Sequence, residues 1–203
     1  MAEDVSKSSL VPPGPGHNNG PTLEPGRGWR AHCWGKARRE LLPRLPVEVV
    51  RIRVKRAAEI GLDYRTYATV RASTGRDIVA FLFSTNALRL FREHQALEAE
   101  RAARLAAVTA CQRRALVISP LQPMPVLKAV TGAHGAVLDA AHAAPCVHAG
   151  WADTVRDLTA ARGAVPADAV LLVGDTATER EWSAAGRLAG YLPAERFFGG
   201  ASP

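Results

Sequence analysis

Apolar side chains recur along this chain in two rhythms, and the change from one to the other divides it. Up to about residue 104 they return every third or fourth position, the period of a helix. Trp29, Cys33 and Ala37 share one side of a predicted helix over Trp29–Leu42, which Pro43 and Pro46 close. Pro46 suits the first position of a second helix, Pro46–Ile60, with Val47, Val50, Val54 and Ala57 along one side and Arg51, Arg53, Lys55 and Arg56 on the others. Gly61 breaks it. Asp63 can cap a third helix, Tyr64–Ser73, which stops before Gly75. Asp77 opens a fourth, whose early turns Ile78–Phe83 are apolar on nearly all sides and are expected to be buried. From Leu88 to about Arg104 the pattern turns amphipathic, with Glu93, Glu98 and Glu100 near Arg89, Arg92, Arg101 and Arg104, the arrangement of a solvent-facing helix held by ion pairs.

After Arg114 the period shortens. Ala115–Ser119 and Ala169–Val173 are short apolar runs bounded by Pro120, Pro166 and Gly174, and they predict buried strands; Val137–Ala140 predicts a third. Helical patterns at Pro125–Val130, Trp151–Arg162 and Thr178–Leu188 alternate with them, which predicts a small parallel sheet. Arg196–Pro203 is expected to be irregular, with Phe197 and Phe198 docked rather than functional. Residues 1–28, with five prolines, five glycines and few apolar side chains, cannot bury enough surface to offset ordering and are expected to be disordered. The fold class expected is α+β overall: a leader (1–28), an all-α basic unit of helix-turn-helix type (29–112), a small α/β unit with a short parallel sheet (113–199) and a tail (200–203).

Charge sharpens this division. Residues 27–114 carry 19 Lys and Arg against 8 Asp and Glu, whereas the whole chain has a net charge of +7. A module that meets phosphates concentrates cations on itself. Three widely spaced cysteines, Cys33, Cys111 and Cys146, offer no disulfide framework and suit a reducing compartment, so a bacterial cytoplasm is expected. No cationic start precedes an apolar run, and no stretch is apolar for long enough to span a membrane. The opening segment, with PGHNNGP at Pro15–Pro21, resembles that of phage-associated bacterial proteins.

The run Arg53–Arg71, RVKRAAEIGLDYRTYATVR, resembles the helix-turn-helix of DNA-binding proteins. That motif packs two short helices about a tight turn. It asks for a small residue in the first helix, glycine at the turn and apolar residues around it; Ala57, Ile60, Gly61, Leu62, Tyr67 and Val70 occupy those places, and Arg56 departs from the pattern. The resemblance implies that Arg65, Thr66 and Thr69 face base edges, while Arg53, Lys55, Arg71 and Arg76 reach phosphates. The function expected is DNA binding in a regulatory or phage-related role, by a protein that is not an enzyme and needs no cofactor, with a protein partner or a second copy of the chain as a further contact and no membrane.

Two other readings compete. One is a non-catalytic adaptor whose basic helices bind a protein. The other is a small metal-dependent hydrolase using the loops between 134 and 175, where His134, Asp139, His142, Cys146 and His148 cluster. Their spacing matches no established metal pattern, and packing is the expected role. Val170–Gly190, with Gly174-Asp175, resembles the magnesium-binding segment of haloacid-dehalogenase-type phosphatases. That family needs an aspartate pair after an early strand, and ALVISPLQP offers Ser119 and Leu121 there. Asp175 is therefore expected to cap the helix that follows. The aromatic residues have core-like spacing, which disfavours single-strand binding by stacking.

Overall fold

The computed structural model describes residues 45–199 and Cys33, which is helical and exposed. The leader (1–28), the rest of the helix expected over Trp29–Leu42 and the tail (200–203) lie outside the described residues. The described chain runs α1 (Val47–Glu59), α2 (Tyr64–Thr74), β1 (Ala80–Ser84), α3 (Thr85–Leu88), α4 (Ala99–Ala106), β2 (Gln112–Val117), α5 (Pro123–His134), β3 (Ala140–Ala143), α6 (Trp151–Arg162), β4 (Val170–Gly174), α7 (Ala177–Ala185), β5 (Gly190–Pro193) and α8 (Ala194–Phe198). All five strands are parallel, in the order β3-β2-β1-β4-β5.

The central strand is the element the sequence misassigns. Ile78–Phe83, expected as a helix, leads into β1, which pairs with β2 and β4 and is buried at every position. A strand covered on both faces is apolar throughout, and over five residues that pattern is the same as that of a buried helical turn. The helix expected over Leu88–Arg104 is likewise shorter. Arg89 takes a left-handed conformation and ends α3, and the Gln95 side chain accepts from the Phe91 and Arg92 amides, so a loop folds there before α4. Near the end, α8 carries Arg196–Phe198, expected to be irregular, and β5 forms where no element was expected.

Alternation along the strands splits the core between two faces. Phe81, Phe83, Ala115, Val117, Leu171 and Val173 point to one side, where α1, α2, α4, α5 and α8 supply Ala57, Tyr67, Leu105, Val130 and Phe197. Ala80, Leu82, Leu116, Val170 and Leu172 point to the other, against Leu158 and Ala161 of α6 and Trp182 of α7. Phe197 closes the first face, its ring 5.1 Å from that of Phe83. The chain from Pro46 onward forms one compact unit. The division expected near residue 112 separates β1 from its partner β2, so the basic helices and the sheet share one core.

Candidate nucleic-acid interface

The corner between α1 and α2 is built as its residue types demand. α1 ends at Glu59 with Ile60 as its C-cap, and Gly61 has φ +71°, a left-handed turn that an L side chain adopts only with strain. A Cβ there would also stand 3.4 Å from Val108. Asp63 then caps α2, its carboxylate accepting from the Thr66 amide at 2.8 Å and from the Thr66 hydroxyl. Burial opposes ionisation of Asp63, but these bonds and nearby Arg196 outweigh it and hold the carboxyl below its ordinary range. Ala57, Ile60, Leu62 and Tyr67 are all buried, and Val70 packs against them. Arg104 braces the corner, donating to the Gly61 carbonyl at 2.8 Å and to the Phe197 carbonyl at 3.1 Å.

Arg56, the departure from the motif, is explained by Asp77. Its Nε donates to Asp77 at 2.9 Å and its Nη2 to the Ile78 carbonyl at 3.0 Å. The Tyr67 hydroxyl donates to the same carboxylate at 2.8 Å, and Arg71 lies 3.7 Å from it. Burial disfavours the charge on Arg56, yet Asp77 raises its pKa; burial and Asp77 together raise that of Tyr67. Asp77 thus ties both helices to the entry of β1, a role the sequence reading did not assign. Nothing local signals it, because the partners stand 21 and 10 positions away.

The expected site residues fall into three sets. Arg53, Lys55 and Arg71 line one groove of about 490 Å³ between α1 and α2, together with Arg56, Glu59 and Asp77. Arg65 and Thr69, one turn apart, are exposed on the outer side of α2, where the Thr69 hydroxyl donates to the Arg65 carbonyl. Thr66 and Arg76 join neither set. Thr66 is buried at the cap, and Arg76 pairs with Asp168 at 2.7 Å. Among the described residues, no ion pair involves Arg51, Arg53 or Arg65, and Lys55 has only a 4.0 Å contact with Glu59.

The carboxyl edge of the sheet has a different character. Thr176, not Asp175, caps α7, in a reciprocal pair with Glu179. Glu179 is fully buried; its carboxylate accepts from the Asp175 amide at 2.5 Å, the Thr176 amide at 2.9 Å and the Asn86 amide group at 3.0 Å. Gly174 leaves room for it, since a Cβ there would lie 2.6 Å from a Glu179 oxygen. The first strand in the chain is β1, whose last residue Ser84 is followed by Thr85-Asn86, so the aspartate pair is missing there as well as after β2. Among the described residues, no three His, Cys, Asp or Glu side chains come together as a metal site. His134 instead hydrogen-bonds the Leu97 carbonyl, and Asp139 pairs with Arg113.

The chain matches no protein-family model, no curated protein and no solved structure at a significant level. Among the described residues, no helix is long and apolar enough to cross a membrane.

Proposed function

We propose that the protein binds duplex DNA through the α1–α2 corner, in a regulatory or phage-related role. One observation carries this reading: the helix–glycine–capped helix corner buries its apolar positions and leaves Arg51, Arg53 and Arg65 without acidic partners among the described residues. Arg51, Arg53, Lys55 and Arg65 then meet phosphates, and Thr69 stands beside Arg65 on the exposed side of α2. Thr66, Arg71 and Arg76 have structural partners and contribute little. Binding to a DNA duplex, followed by fluorescence anisotropy at low ionic strength, tests it. Saturable binding that weakens on Arg65→Ala supports the reading, and its absence at low salt removes it.

A second reading, binding of a partner protein, has an observation of its own. Val47, Ile52 and Val54 on α1 are 60%, 68% and 46% exposed, aliphatic side chains that DNA phosphates do not need. Stable co-purification of a protein with the wild type, lost on Ile52→Ser with DNA binding intact, favours this second contact.

A further inference from the structure

Exposed large apolar side chains fall in two places besides Val79. Leu45, Val47, Ile52 and Val54 belong to α1 or its approach; Phe91, Met124, Val147 and Trp151 follow the carboxyl ends of β1, β2 and β3. In a parallel sheet those ends share one edge, where open α/β sheets receive ligands. The Glu179 network fills the centre of this edge, and a cavity of about 290 Å³ opens between residues 146–149, the start of α6 and one side of α7. Cys146, Val147, Trp151 and Trp182 contribute to its wall, with Thr154, Thr178 and Glu181 as polar members. Trp151 is 68% exposed and Trp182 only 5%, so one indole stands at the mouth and the other is set in the core.

The charge of this cavity is one-sided. No lysine or arginine lines it, and Glu181 has no ion-pair partner among the described residues. The adjacent cation, Arg180, lies over the Tyr191 ring at 5.1 Å, and Arg156 pairs with Asp153 at 2.6 Å. An anion entering here would lose hydration beside a carboxylate with nothing to replace it. A tryptophan face attracts a cation, an apolar wall favours a carbon-rich body over a strongly hydrated inorganic ion, and Glu181 supplies the counter-charge.

We propose that this cavity binds a small organic cation, an alkylammonium or guanidinium group on an apolar body, held by Trp151 and Glu181. The site is separate from the α1–α2 groove and does not depend on the DNA reading. The test titrates the full chain with choline, by calorimetry and tryptophan fluorescence, in parallel with its neutral isostere carrying a tert-butyl group in place of trimethylammonium. Choline is expected to bind saturably, and the isostere roughly tenfold more weakly or worse. Trp151→Leu keeps an apolar side chain at an exposed position but removes the π face, and Glu181→Gln removes the charge; each should weaken choline by roughly fivefold, with circular dichroism unchanged. No saturable heat with choline, equal affinity for the isostere, or full affinity in both variants overturns the proposal.

Discussion

Asp77 decides which cations of the basic helices are free to act. By drawing Arg56, Tyr67 and Arg71 onto one half-buried carboxylate, it converts two formal charges into braces and leaves Arg51, Arg53 and Arg65 uncommitted among the described residues. Asp77→Ala is expected to destabilise the fold by about 1–3 kcal/mol, because Arg56, the Tyr67 hydroxyl and the Ile78 amide lose their acceptor in a partly buried site; the shift of the urea midpoint measures it. Asp63 works at the same scale. Removing the cap by Asp63→Ala should cost about 1 kcal/mol. Since its folded pKa is depressed, its contribution is complete above the unfolded carboxylate range and fades as pH falls through the folded value. The acid limb of a stability profile should therefore flatten in Asp63→Asn. Five residues of the apolar pattern around Gly61 were legible in the sequence, because each answers to a local rule of turn and helix. Thr66 was not: the same proximity that makes Asp63 a cap draws the Thr66 hydroxyl inward and away from any DNA.

Elements were legible where one rule governed them. α2 begins at a capping aspartate and ends before a glycine, and both ends follow from sequence. β1 follows from pairing alone, since nothing within Ala80–Ser84 separates a doubly covered strand from a buried helix. α1 shows the converse: Val47 and Val54 have helical spacing yet face out, and the buried side is set by Ala57 and Ile60 docking on the sheet. Two substitutions test how the elements are joined. Gly61→Ala should cost about 1 kcal/mol through the left-handed backbone, with a correspondingly lower melting temperature, and should weaken the proposed DNA binding by shifting α2 on α1. Glu179→Ala leaves the Asp175, Thr176 and Asn86 donors unpaired where β4 meets β1, and should lower stability by about 2–4 kcal/mol in chemical denaturation. The sequence placed Asp175 in that role because it follows the strand directly; the reciprocal cap with Thr176 favours the carboxylate one turn later.

At the scale of the molecule, the excess of cations over residues 46–114 does not mark a separate domain. It lies partly on helices that cover one face of the sheet and partly on that sheet itself, where Arg113 pairs with Asp139 and Arg114 donates to the Ala161 carbonyl. Composition made the asymmetry visible, and only the fold separates cations that hold the core together from those on the α1–α2 corner. The contact proposed between DNA phosphates and Arg51, Arg53, Lys55 and Arg65 is electrostatic. The dependence of duplex binding on salt measures that most directly. With four phosphates neutralised, the logarithm of the binding constant should fall against the logarithm of salt concentration with a slope of about −3 to −4, and Arg53→Ala or Arg65→Ala should reduce the slope by about one. A slope near zero, or a slope that neither variant changes, would contradict it.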